Sequence, residues 1–255
     1  MNPAGKVAIV TGAGSGLGRA TTAILVECGV RVLAVDINEQ NLQALQEHLA
    51  PHVAVLVADV SDEADARQAV QATVAQFGAL HIAVNCAGVA DSAKTISGGQ
   101  PHPSALWNKV IAVNLAGTFY VAVHAALAMS SNAPDAHGER GVIVNTASGA
   151  AEHGQVGQLA YSASKAGVIG MTLPMARDLA PSGIRVVAIA PGLFDTAMAS
   201  GLSDRTREGM KAMFLFPDRM GEPGEFAGLV RHIVENRYLN ATTISIDGGT
   251  RPSTR

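Results

Sequence analysis

Tyr161 and Lys165 in GQLAYSASKAG (157–167) are residue types that can move a proton, and they stand one helical turn apart. At i and i+4 they share a helix face, about 6 Å apart at Cβ. A free tyrosine titrates near ~10, too high for a good base at neutral pH, and a neighbouring ammonium favours its phenolate. Ser148 stands thirteen residues upstream, just after the strand-like run VIVNTA (142–147). Its hydroxyl can hydrogen-bond a carbonyl or alcohol oxygen and fix that oxygen before reaction. Asn114 in IAVNLAG (111–117) is an amide on an otherwise apolar helix. It either satisfies and bends that helix or holds a water that passes protons from Lys165 to solvent. The opening stretch also reads as a packing surface, because Ala163, Ala166, Gly167 and Gly170 allow close helix approach.

Elements that could bring these residues together are visible along the chain. Short apolar runs at 7–11, 31–36, 53–59, 82–85, 141–147, 184–191 and 243–247 alternate with longer helical segments such as 16–28, 38–49 and 62–77. Runs of this kind suit strands buried on both faces of a parallel sheet. Ser61 ahead of DEADARQAV is the expected N-cap, and Gly29 and Gly78 the expected helix stops. The sum is one doubly wound α/β domain over 1–255. Two stretches rich in Gly, Pro, Ser and Asn, 90–104 and 130–141, read as loops inserted into it. Pro174 removes one hydrogen bond from its helix and is expected to bend it.

The first strand runs into TGAGSGLG (11–18). Gly12, Gly14, Gly16 and Gly18 remove side chains where a strand turns into a helix, so that backbone can approach a pyrophosphate at the helix start. The second strand ends at Asp36, where a carboxylate can accept hydrogen bonds from ribose hydroxyls. The same charge repels a 2′-phosphate, and Ile37 beside it supplies no cation. The reading is therefore NAD, with a strand-end turn as the alternative use of Asp36. Asp59 and Asn85 follow later apolar runs and suit an adenine contact and a rim hydrogen bond. Cys86 and Gly88 suit backbone lying against the cofactor. An oxidised nicotinamide would then add to Lys165 in favouring the Tyr161 phenolate.

The 255-residue chain is 48% hydrophobic and 15% charged, with net charge −3. Its scattered cations do not suit a phosphate backbone, so no nucleic-acid partner is expected. Two cysteines, Cys28 and Cys86, fit a reducing compartment. The histidines show no metal-ligand spacing. No apolar run is read as reaching the ~18 residues of a membrane helix. The first strand-like run begins at Lys6, leaving no room here for a targeting sequence, although a removed presequence stays open.

In this order and spacing TGxxxGxG, Asp36, NCAG (85–88), Asn114, Ser148 and Tyr161-xxx-Lys165 resemble the short-chain dehydrogenase/reductase family, as do PG (191–192) and IDGG (246–249). The resemblance covers essentially the whole chain. It implies a Rossmann-type, three-layer αβα fold around seven parallel strands, with catalytic roles for Asn114, Ser148, Tyr161 and Lys165. A narrower resemblance, to the type-2 3-hydroxyacyl-CoA dehydrogenase branch, rests on NCAGVADSAKT (85–95), on 141–186, on IAPGLF (189–194), on FPDRMGEPGEFAGLV (216–230) and on the two inserted loops. It implies contacts to NAD from Ser15, Leu17, Asp36, Asp59, Val60, Cys86, Tyr161, Lys165, Phe194 and Thr196. Gly12, Gly16, Gly18, Asn85, Ala87, Gly88, Pro191 and Gly192 complete that cradle. Gln155 or Gln158 would join Ser148 and Tyr161 at an acyl-CoA substrate. Asp195 and the segment 197–213 depart from that branch, within a stretch, about 193–220, expected to cover the substrate. Lys94, Arg205, Arg207 and Lys211 could meet a CoA phosphate, although solvated loop charge is the plainer reading. A hydroxysteroid or a 3-oxoacyl-ACP substrate is the alternative, and the latter is opposed by Asp36 and by the lack of a dense basic cluster. The family implies a homotetramer packed through the helix after Tyr161. The compartment is expected to be cytoplasmic, with the mitochondrial matrix as the other choice.

Overall fold

The computed structural model describes residues 1–196 and 213–251. Arg205, Arg207, Lys211 and most of the expected substrate cover therefore lie outside the described residues.

Seven parallel strands form one sheet in the order β3-β2-β1-β4-β7-β8-β9. They are β1 (Val7–Thr11), β2 (Arg31–Asp36), β3 (Val53–Val57), β4 (Ile82–Asn85), β7 (Gly141–Thr146), β8 (Ile184–Pro191) and β9 (Thr242–Ile246). Alternate residues feed two apolar layers. Val10, Ala34, Val84 and Val144 meet Leu25 of α1 (Gly16–Glu27), Leu42 of α2 (Glu39–Leu49) and Phe226 of the last described helix, α8 (Pro223–Glu235). Ile9, Val35, Ala83 and Ile143 face Val70 of α3 (Glu63–Phe77), Ala125 of α5 (Thr118–Ser130) and Ala176 of α7 (Leu159–Leu179). Burial on both faces is why these strands are continuous apolar runs. The order reverses beside β1, where β2 lies on one side and β4 on the other. A crevice opens there at the strands' C-terminal ends, so Thr11, Asp36, Asn85, Thr146 and Pro191 all lie on one rim.

The elements depart from the sequence reading in local ways. The N-cap of α3 is Asp62, which accepts from the amides of Ala64 and Asp65, because the Ser61 hydroxyl is engaged with Asp59 at 2.7 Å. Strand β3 stops at Val57, two residues short of Asp59. The loop 90–104 contains a small hairpin, β5 (Ile96–Ser97) with β6 (Gln100–Pro101), turned by Gly98 and Gly99 at positive φ. Helix α7 continues through Pro174 to Leu179.

The stretch Ser104–Ser130 is helical throughout: α4 (Ser104–Ile111), a π-turn (Ala112–Gly117) and α5. Contrary to the sequence reading, it is long and apolar enough to cross a membrane, with a mean hydropathy of 1.8 in its most apolar window. In the fold Ala122, Ala125 and Met129 are packed against the sheet instead, and Asn114 and Thr118 are buried with hydrogen bonds.

Candidate active site

The glycine loop is shaped around the turn from β1 into α1. Gly12 has φ +64, and a Cβ there would come within 2.7 Å of the Ala87 amide. A Cβ on Gly18 would lie 2.1 Å from the Gly12 carbonyl. Both positions exclude a side chain, and they let β4's exit loop and α1 close on the same space. Ser15 precedes α1 without a side-chain cap, so the first amides of the helix are free of a side-chain acceptor. Free donors at a helix start suit a pyrophosphate.

Asp36 makes the contacts of a strand-end turn and stands beside the glycine loop. One carboxylate oxygen accepts from the Gly14 amide at 3.0 Å and the other from Asn38 at 2.9 Å. The carboxylate is thereby held beside the glycine loop at the end of β2. Asp59 binds the amide and hydroxyl of Ser61, and Val60 packs with Ala87 and Val121. Asn85 donates to Asn145 at 2.9 Å across β4 and β7, the rim hydrogen bond its position suggested. Burial pushes the Cys86 thiol up to about 11, against the Thr146 hydroxyl, which donates to it at 3.7 Å. Such a thiol is a packing group and not a nucleophile.

Leu17 of α1 packs partly buried against the core. Farther along the rim, the Pro191 carbonyl accepts from Gly149, and a Cβ on Gly192 would meet Asp247 at 2.8 Å. Phe194 stacks edge-on to Phe226 with centroids 6.3 Å apart, and Thr196 lies against Gly16. The segment 192–196 thus covers the start of α1.

Ser148, Tyr161 and Lys165 come together at the end of β7. Ser148 is buried, its oxygen accepting from Ala150 at 3.1 Å. Its hydroxyl lies against the Tyr161 phenol and favours ionisation, but burial outweighs it and raises the phenol above its ordinary value. Lys165 is buried, 5.8 Å from the tyrosine ring centre, and donates to the Thr146 carbonyl at 2.7 Å. Desolvation lowers its ammonium to about 8. The expected lowering of the tyrosine is thus outweighed by burial among the chain's own groups.

Asn114 stands in the π-turn, fully buried. Its oxygen accepts from the Val89 amide at 2.8 Å, and its nitrogen donates to the Val89 carbonyl at 2.9 Å and to Ser164 at 3.1 Å. Both amide hydrogens are used, so the side chain is a clamp on the loop after β4 and has no hydrogen left for a water relay. Gly88 keeps this space open, since a Cβ would lie 3.2 Å from the Asn114 oxygen and 3.7 Å from Lys165 Nζ.

The two glutamines separate. The Gln158 oxygen accepts from the Gln155 amide at 2.8 Å and holds the rim loop, while Gln155 Nε2 reaches the Met213 sulfur at 3.9 Å. Three participants went unread in the sequence: Thr146, Val89 and Ser164. The first two act through their backbones, and Ser164 was given no role of its own.

Residues 6–207 match the short chain dehydrogenase family. The 3-hydroxyacyl-CoA dehydrogenase type-2 of Bos taurus is 47% identical over 249 residues, 97% of this chain and 95% of that protein. The protein of the same name from Homo sapiens is 46% identical over the same shares. The crystal structure of 3-hydroxyacyl-CoA dehydrogenase type-2 from Mycobacterium avium superposes with a TM-score of 0.94 at 35% identity, covering 98% of each chain. The chain belongs to the short-chain dehydrogenase family.

Proposed function

We propose that this oxidoreductase interconverts (3S)-3-hydroxyacyl-CoA and 3-oxoacyl-CoA with NAD. The observation that carries the reading is the meeting of Ser148, Tyr161 and Lys165 on the rim that also holds the glycine loop and Asp36. Gly12, Ser15, Gly16, Gly18, Asp36 and the loop 85–88 would hold NAD, which supplies the hydride acceptor. The Asp36 carboxylate disfavours a 2′-phosphate by charge repulsion. Ser148 positions the substrate hydroxyl, and the Tyr161 phenolate takes its proton in the oxidative direction. Lys165 below the ring stabilises the phenolate, and Asn114 keeps the wall of the pocket in place. Gln155 faces the acyl-CoA from the rim.

Acetoacetyl-CoA with NADH, followed by loss of NADH absorbance, tests the substrate class directly. Turnover is expected with NADH and to be at least tenfold weaker with NADPH. Faster turnover of a steroid ketone or a 3-oxoacyl-ACP would replace the acyl-CoA reading. Tyr161→Phe is expected to lower kcat by about 10²- to 10⁴-fold while NADH binding is kept; near-normal kcat would remove the tyrosine from its role.

The assembly we propose is a homotetramer. Phe119, Val123 and Leu127 of α5 with Met171 and Met175 of α7 form an apolar groove on the outer face, and Gly170 on α7 is open. Sedimentation should give a mass four times that of the chain. The free cysteines Cys28 and Cys86 support a reducing compartment, for which we propose the cytoplasm.

A further inference from the structure

We propose that Ser164 is a positioning residue for the catalytic tyrosine, the middle link of a hydrogen-bond chain from the loop after β4 to the first turn of α7. The Val89 peptide is gripped at both its amide and its carbonyl by Asn114, whose remaining hydrogen goes to Ser164 Oγ at 3.1 Å. Ser164 passes the chain on by donating to the Tyr161 carbonyl at 2.7 Å. One hydroxyl therefore accepts from the π-turn and donates to the catalytic residue's own backbone.

The placement is specific. Ser164 and Asn114 are both fully buried, so no solvent replaces a missing partner. The π-turn at Ala112–Gly117 widens the helix where Asn114 points inward, and Gly167 lets α7 close on Leu115, where a Cβ would fall within 2.8 Å. The neighbours of Ser164 in sequence are also those in the chemistry: Tyr161 lies three residues before it and Lys165 one after. A short donor–acceptor chain of this kind orients reacting groups without touching substrate. Alanine at 164 leaves one Asn114 hydrogen unpaired and frees the first turn of α7. The ring of Tyr161 can then drift relative to Ser148 and Lys165.

The inference rests on Tyr161 being the proton acceptor. The titratable groups facing the site are Tyr161 and Lys165 on α7 and Cys86 at the end of β4. Ser164→Ala in the full-length enzyme should lower kcat about 10- to 100-fold. KM for acetoacetyl-CoA and Kd for NADH should stay within about twofold, and the pH profile of kcat should shift. Ser164→Cys, a bulkier and weaker donor and acceptor, should fall between alanine and serine, and it carries the test should the alanine variant not fold. Wild-type kcat and pH profile in a folded variant would overturn the proposal. So would parallel losses of kcat and NADH affinity that follow a lowered melting temperature, since these mark a purely structural serine. Near-normal turnover in Tyr161→Phe would instead remove the underlying reading of the site, leaving the two failures distinguishable.

Discussion

Two buried cations stand at opposite ends of the sheet, and the fold treats them differently. Arg185, near the start of β8, is 7% exposed, and Lys165, beside the end of β7, is 3% exposed. The guanidinium is saturated. Nε and Nη2 meet Glu139 Oε1 at 2.8 Å, Nη1 meets the carbonyls of Ile233 and Leu239 at 2.9 and 2.8 Å, and Nη2 also meets Val234 at 3.1 Å. It closes the C-terminal end of α8, where helix carbonyls lack partners of their own. The Lys165 ammonium has the Thr146 carbonyl and a tyrosine ring, no carboxylate among the described residues, and a value lowered to about 8. One end of the sheet is finished as structure. The other keeps a charge under-compensated, so a proton can come and go there.

This contrast predicts stability effects of opposite sign. Arg185→Met should destabilise the protein by about 2–4 kcal/mol, because the α8 carbonyls are left unpaired and Glu139 keeps only the Met1 ammonium and Arg237 of its three cations. The double variant with Glu139→Leu should recover none of that loss, because the buried Met1 ammonium then loses its carboxylate at 3.1 Å. Urea unfolding at pH 7 measures both, and a loss below ~1 kcal/mol for the single variant would show that Arg185 is not structural.

Lys165→Met should do the reverse, raising stability at pH 7 by roughly 2 kcal/mol while turnover is lost. The sign follows from proton binding. Below about 8 the lysine is charged in both states and its desolvation cost is fully present. Between 8 and 10 the folded state has released the proton and the unfolded state has not, so wild-type stability rises with pH. Tyr161, raised by burial, opposes this only above 10.0. Unfolding free energies at pH 7 and 9.5 test both parts. A methionine variant as unstable as Arg185→Met would erase the distinction between the two cations.

How far such differences can be read in a sequence depends on the range of the interaction. Strands such as VAIVT and IRVVAIAP are legible because burial on both faces makes nearly every residue apolar. Tyr161 and Lys165 are legible because helix geometry places i and i+4 together. Asp36 announced itself at a strand end, although its hydrogen bonds to Gly14 and Asn38 did not. Arg185 reads only as a charge in a strand, since its partners lie 46 to 54 residues away in the chain. The π-turn was invisible because no residue type marks one, and the clamp on Val89 uses a backbone any residue could supply. Ser61 was misread for a competing reason: Asp59, two residues earlier, takes its hydroxyl and leaves the cap to Asp62.

The smallest expected effect concerns a third group, His81, just before β4 at the Arg185 end of the sheet. Its Nδ1 accepts from the Val7 amide at 3.3 Å, and burial, with the charges of Lys6 and Arg31, lowers it to about 4. The unfolded chain takes up a proton near 6.5 that the folded chain refuses until about 4. Its contribution is therefore complete above pH 6.5 and lost as pH falls toward 4. The ring is only half-buried, so solvent screening reduces the effect to ~1 kcal/mol. His81→Gln removes the ionisation and keeps an acceptor for Val7. Its unfolding free energy should depend less on pH between 6.5 and 4 than that of the wild type. Equal slopes would mean that the histidine is solvated in the folded state, and that this end of the sheet is less dry than Arg185 implies.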